Sequence, residues 1–169
     1  MTAENQSIAI RPFEADDWAA VWRILEPVFR AGETYPLPTD ITEVDARAYW
    51  IDNPLDTFVA QGSDGSILGT YYIRPNQPGL GAHVCNCGYM VSQDAQGQGV
   101  ATALNLHSQA TAKTMGFRAM QYNMVVSTNE RAVRLWQHLG FTKVGTLPGA
   151  FHHQRLGYVD AHVLFKSLE

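Results

Sequence analysis

The sequence predicts a mixed α/β fold, one sheet with helices on both faces. Two observations carry this. Apolar residues recur with the helical period in some segments and with period two in others. The order of these segments, β-α-α-β-β-β-α-β-α-β-β, interleaves strands and helices with no linker between them, so residues 1–169 read as a single domain.

Ile8 and Ile10 alternate ahead of Pro12 as a short first strand. A helix follows from about Asp16, with Trp18, Val21, Trp22, Leu25, Val28 and Phe29 at helical spacing and Gly32 at its end. The Pro-punctuated loop Glu33 to Pro38 leads to a second helix, about Thr42 to Ile51, stopped by Asn53-Pro54. Thr57–Gln61 and Ile67–Arg74 then read as strands joined by the turn residues 63–66. Beyond a second turn cluster, Pro75 to Gly79, comes a third strand, Ala82–Val91. A long helix runs from about Gly99 to Met115, with Val100, Ala103, Leu104, His107 and Ala110 along one stripe and Gly116 as its stop. Ala119–Val125 is a strand. Ser127 to Leu139 is a helix with Ser127 and Glu130 at capping-box spacing, and Val144–Leu147 and Ala161–Phe165 supply the last strands.

With 46% hydrophobic and 17% charged residues, the composition is that of a globular protein able to bury a core. A net charge of −4 supplies no general basic field, which disfavours nucleic acid and anionic membranes as partners. Cys85 and Cys87 lie two apart on one strand face and read as small packing residues; a zinc site needs a second ligand pair, so no metal is expected. Met1 to Gln6 is polar and carries no apolar targeting core, and no run is long enough to span a bilayer. Cytoplasm is the expected location.

Chemistry concentrates between Gly88 and Leu104. A strand ends, a polar loop follows, and Gly97 and Gly99 open an amphipathic helix. The first helical turn offers N–H groups without carbonyl partners at the positive end of the helix dipole, a place suited to a diphosphate. No Gly-Lys-Ser/Thr follows, which excludes a Walker loop. The dinucleotide fingerprint fails because its third small residue falls on Thr102 and no acid lies about twenty positions on.

Gln96-Gly97-Gln98-Gly99-Val100-Ala101 resembles the Gln/Arg-x-x-Gly-x-Gly/Ala signature of the GNAT N-acetyltransferase superfamily, and Asn129-Glu130-Arg131-Ala132 through Gly140-Phe141 resembles its second landmark. The resemblance implies a GNAT-like fold and acetyl-CoA as co-substrate. By it, Gln96, Gly97, Gln98, Gly99, Val100, Ala101 and Thr102 hold the pyrophosphate, Met90 or Val91 offers a strand amide to the oxyanion, and Asn129 bonds near the pantetheine or substrate. Trp136 stands where the family pattern has a Tyr that protonates the leaving thiolate. An indole N–H donates a hydrogen bond but is no proton source near neutral pH. Trp136 is therefore read as core or pantetheine packing, with water as the acid.

Tyr71 to Gly79 followed by His83 to Tyr89 resembles the fungal proline-analogue (azetidine-2-carboxylate) N-acetyltransferases. That resemblance implies a proline-like imino acid or toxic analogue as acceptor, with Asn86, Asn123 and Asn129 in substrate handling or catalysis. Asn86 and Asn123 also sit mid-strand, where Asn is disfavoured and local rule-breaking often marks a site. Met124 is placed beside them, and Glu33 and Tyr35 are expected at the acceptor pocket from their loop. His83 is a candidate base, His107 a packed core histidine, and His152-His153 an exposed loop pair. The expected partner is a small-molecule amine, and a homodimer is compatible with the pattern. Other readings are a non-catalytic acyl-CoA-binding regulatory domain, or an enzyme for another amino acid, a polyamine or a peptide N-terminus.

Overall fold

The computed structural model describes residues 7–169; Met1 to Gln6, read above for targeting signals, lie outside the described residues. Four strands form an antiparallel run: β1 (Ala9–Pro12), β2 (Asp56–Gln61), β3 (Ile67–Pro75) and β4 (Val84–Val91). Strand β5 (Ala119–Val126) lies parallel to β4, and β7 (Gly157–Ser167) and β6 (Thr142–His153) complete a seven-stranded sheet in the order β1-β2-β3-β4-β5-β7-β6. The mixed sheet with helices on both faces is as expected.

Alternation of side chains across the strands divides the core in two. On one face Val59, Tyr72 and Met90 pack under α1 (Trp18–Ala31) and α2 (Glu43–Arg47), whose Val21, Leu25, Phe29 and Ala46 are buried. On the other face Tyr71, Ile73, Cys85 and Cys87 meet α3 (Val100–Thr114) and α4 (Glu130–His138). Both cysteines are buried and free, packing as small apolar groups. No helix among the described residues is long and apolar enough to cross a membrane.

The second helix is shorter than expected, because after Arg47 the backbone widens into a π turn, Ala48–Asp52, closed by Asn53 N–H to the Ala48 carbonyl at 2.9 Å. This turn drives Trp50 into the core, where its Nε1 donates to Thr70 Oγ1 at 3.2 Å and its carbonyl accepts from Thr57 Oγ1 at 2.8 Å. The buried indole thus has its polar atom satisfied.

Three local expectations are corrected. Ser127 is not the cap of α4: its N–H is held by Asp160 O at 2.9 Å, and Asn129 caps the helix by accepting from Ala132 N–H at 3.4 Å. His152 and His153 belong to the extended β6 rather than to a loop. His152 stacks on Tyr158, while His153 is buried and its Nδ1 accepts from the N–H groups of Arg155 and Leu156. The buried stripe of α3 is also rotated, since Asn105, Ser108 and Ala112 are enclosed and Ala110 is exposed. Tyrosine hydroxyls below the helix make that tolerable: Asn105 Nδ2 donates to Tyr122 Oη at 2.7 Å, and Ser108 Oγ bonds Tyr89 Oη at 2.7 Å.

Helix α3 lies so close to β3 that only glycine fits at position 69. A Cβ there would sit 2.9 Å from the Met90 carbonyl oxygen and 3.0 Å from Leu104 Cδ1. Gly69→Ala is expected to lower stability by about 1–3 kcal/mol, the usual cost of overpacking. Urea unfolding should show a reduced midpoint at unchanged slope, and an unchanged midpoint would contradict this packing.

Candidate active site

The site exists because β4 and β5 pair over only two positions, Val84↔Ala119 and Cys85↔Met120, and then separate. Main-chain groups of β4 alternate between its two neighbours. Asn76 N–H bonds Val84 O and Ser92 N–H bonds Leu68 O, so even-numbered positions of β4 face β3. Arg118 N–H bonds His83 O on the β5 side, and Tyr35 Oη donates to Tyr89 O at 3.1 Å, so odd-numbered positions face the gap. The N–H groups of Tyr89 and Val91 therefore point into the fork. Met90 does not share this orientation. Its main chain is turned to β3 and its side chain is buried under α1.

Side chains close the fork where the ladder stops. Asn86 Nδ2 donates to Gln121 O at 2.9 Å across the gap, and its Oδ1 faces Tyr72 Oη at 3.5 Å. Trp136 from α4 forms one wall, its ring centroid 5.1 Å from that of Tyr89 and 5.5 Å from that of Tyr122. The Tyr89 and Tyr122 hydroxyls bond each other at 2.8 Å, and burial pushes both phenols well above their ordinary range. From Tyr122 a polar chain continues through Asn105 and Gln109 to Lys166 Nζ, which donates to the Leu139 carbonyl at 2.8 Å. Sequence reading missed this chain; the only signal was Asn105 and Ser108 three apart on a helix meant to be apolar.

Past the end of β4 the chain forms a short turn anchored by buried Ala95, then passes Gly97 and Gly99 with φ of +80° and +81°. Both are in the left-handed region that favours glycine. Gly99 precedes the first residue of α3, and no side chain caps the helix there. The N–H groups of Val100, Ala101 and Thr102 are consequently first-turn donors without intrahelical acceptors. A Cβ at Gly99 would meet nothing within 4 Å, and one at Gly97 only the Arg131 guanidinium at 3.9 Å. Open backbone, a helix dipole and a nearby cation suit a diphosphate. Gln96 and Gln98 are exposed, and Gln98 Nε2 is used internally on Asp94 O at 2.9 Å.

The fork widens into a cleft of about 250 Å³ that Tyr35, Asn86, Asn123, Met124, Asn129 and Trp136 all help to line. Asn123 is tied down, donating to Asn76 Oδ1 at 2.7 Å and accepting from Gln121 Nε2 at 3.0 Å. Burial pushes the Tyr35 phenol far above its ordinary value. Two expected residues are not brought to the cleft. His83 is exposed at the start of β4, beyond the paired end, because the fork opens in the opposite direction. Glu33 turns away to pair with Arg155, which holds its carboxyl below the usual range. His107 is half-buried in the core, its Nδ1 2.8 Å from Tyr71 Oη, and burial lowers its pKa.

Residues 18–141 match the family model described as Acetyltransferase (GNAT) family. The chain is 32% identical over 159 residues to N-acetyltransferase aca1 of Schizosaccharomyces pombe, covering 82% of this chain and 75% of that protein. It superposes on a GCN5-related N-acetyltransferase from Kribbella flavida with a TM-score of 0.90 at 42% identity, covering 95% of this chain and 97% of the other. The acetyltransferase yncA of Salmonella typhimurium, solved with its cofactor acetyl-CoA, shares the fold at a TM-score of 0.84 and 19% identity, with 96% and 95% of the two chains covered. The forked sheet, the bare helix start beyond it and this match over most of the length agree, and the chain belongs to the Acetyltransferase (GNAT) family as an acetyl-CoA-dependent N-acetyltransferase.

Proposed function

We propose that this enzyme acetylates the amine of a small molecule in the cytoplasm, with a proline-like imino acid or a toxic analogue of one as first choice. The observation that carries the reading is the size and lining of the cleft. About 250 Å³ is less than the roughly 300–1,000 Å³ of drug-sized sites. The fork must also admit the pantetheine arm, which leaves room for a compact acceptor. Amides and phenols supply most of the polar side chains of the lining, which suits a small zwitterion.

In this reading the diphosphate of acetyl-CoA rests on the N–H groups opening α3, with Arg131 beside it. The fork-facing N–H groups of Tyr89 and Val91 orient the acyl end and its carbonyl oxygen. Asn86 keeps the fork open at a fixed width, and Trp136 packs along the arm. Among the described residues no carboxylate or imidazole lines the cleft. Tyrosine and cysteine titrate above neutrality in water, and burial raises Tyr35, Tyr72, Cys87, Tyr89 and Tyr122 further. The acceptor thus loses its proton to water before it attacks, and positioning supplies much of the rate.

Release of CoA thiol from acetyl-CoA across a panel of amines that includes azetidine-2-carboxylate tests the assignment; turnover confined to peptides would remove it. With no titrating base in the cleft, log kcat/KM is expected to rise with unit slope from pH 6 until the acceptor's own ammonium pKa. A plateau near pH 7 that differs from that pKa would reveal a base on the enzyme. Asn86→Ala should reduce turnover at least tenfold while calorimetry finds acetyl-CoA affinity kept, and equal losses in both would contradict its place on the acceptor side. Gly99→Ala forces a left-handed Ala, at a cost of about 1–2 kcal/mol. It should weaken acetyl-CoA about tenfold and leave the acceptor KM unchanged.

A further inference from the structure

Among the described residues Arg74 is the only charged side chain lining the cleft. It lies at the end of β3, opposite Asn86 in register, and is half-buried. Its guanidinium sits over two aromatic faces, 5.2 Å from the centroid of Tyr49 and 4.9 Å from that of Tyr72. Those rings are themselves fixed: Tyr72 packs edge-on against buried Trp50 at 4.8 Å and against Tyr49 at 5.9 Å. Among the described residues Arg74 takes part in no ion pair, and the other arginines without one, Arg23 and Arg131, lie outside the cleft, whereas Arg11, Arg30, Arg47, Arg118, Arg134 and Arg155 each have a carboxylate. Its one hydrogen bond is a long donation to Tyr49 Oη at 3.5 Å.

A guanidinium carries five N–H donors in a planar fork. Stacking satisfies its faces and leaves its edge free. Partial burial of a cation costs solvation, which the two ring faces offset only in part, and among the described residues no acid lines the cleft to complete the compensation. The matching partner is a carboxylate, bound through two parallel N–H···O bonds. The diphosphate of the co-substrate is not that partner. Asn86 lies five positions before Val91, so Arg74 is about 16 Å of strand away from the end of β4, beyond which α3 starts.

We propose that Arg74 is the carboxylate-binding, specificity-determining residue of the acceptor site, so that the acceptor is an amine bearing a carboxylate. This rests on the small-molecule reading above and is independent of whether the amine is cyclic. The two tyrosines hold the guanidinium in place before the acceptor arrives, which lowers the cost of ordering it on binding.

The test compares each acid with its own carboxamide: azetidine-2-carboxylate, proline and alanine against the three corresponding amides. CoA thiol release is followed for the wild type, Arg74→Gln and Arg74→Lys. With kcat/KM referred to the free-amine form of each compound, because a carboxamide lowers the pKa of the neighbouring ammonium, the wild type should favour the acid about 100-fold, mostly through KM. Arg74→Gln should erase that preference while keeping amide rates within about twofold, and those rates also report that the variant is folded. Arg74→Lys, a cation without the fork, should restore part of the preference. Two results overturn the proposal: a wild type that acetylates amides or polyamines as well as acids, or an Arg74→Gln variant that loses acid and amide turnover equally. An Arg74-dependent preference for alanine with no turnover of either ring compound would uphold Arg74 and remove the imino acid.

Discussion

Everything in this protein depends on two adjacent strands that begin a parallel ladder and abandon it. Buried main-chain polar groups must find partners, and a ladder that stops inside a sheet leaves a row of them bare. Here β4 and β5 separate after Cys85 and Met120, and the bare row faces the cleft. Side chains relieve part of the deficit at chosen points, with Asn86 spanning the gap to Gln121 O and Tyr35 reaching Tyr89 O. What they leave unpaired is a line of donors and acceptors at fixed spacing, open to an elongated ligand carrying amides of its own.

The two faces of the sheet serve the fork differently. On the α1 side the packing is almost wholly apolar and aromatic, with Trp50, Tyr72 and Phe29 locked edge to face. On the α3 side a chain of hydroxyls and amides runs under the helix from Tyr89 to Lys166. Such a chain has many members satisfied at once, which favours one arrangement over neighbouring ones. Trp136 caps it from α4. The Trp gives up the hydroxyl of the family pattern, and two buried phenols lie directly beneath the indole.

The fold was legible in the sequence where periodicity was strong, and so were the glycine turn and the uncapped helix start beyond β4. Turn glycines, a helix start and strand alternation are local, so residues 57–104 could be read in place. The acceptor end was harder. Asn86 stood out as polar in a strand, yet its visible bond is structural, across a gap that no local pattern announces. His83 seemed near the site because it is near in sequence, but strand direction put it at the wrong end. Arg74 drew no attention as one more charged residue beside a turn, because an absent partner is a property of space rather than of spacing. The family assignment speaks for the donor chemistry of residues 18–141, while the acceptor proposal rests on the resemblance of residues 71–89 and on the lining of the cleft.

The loop bearing Tyr35 is held by the far end of the chain. Gln154 N–H bonds the Gly32 carbonyl at 3.2 Å, and Arg155 pairs with Glu33 across 122 positions. One wall of the cleft is therefore fastened only when the β6–β7 turn has been made. A nascent chain emerging from the ribosome carries its complete glycine turn and the helix behind it well before it can fasten that wall of the cleft. Contacts this distant in sequence form late, because loop closure precedes their reward. That wall of the cleft should hence be among the last parts of the molecule to take its final shape.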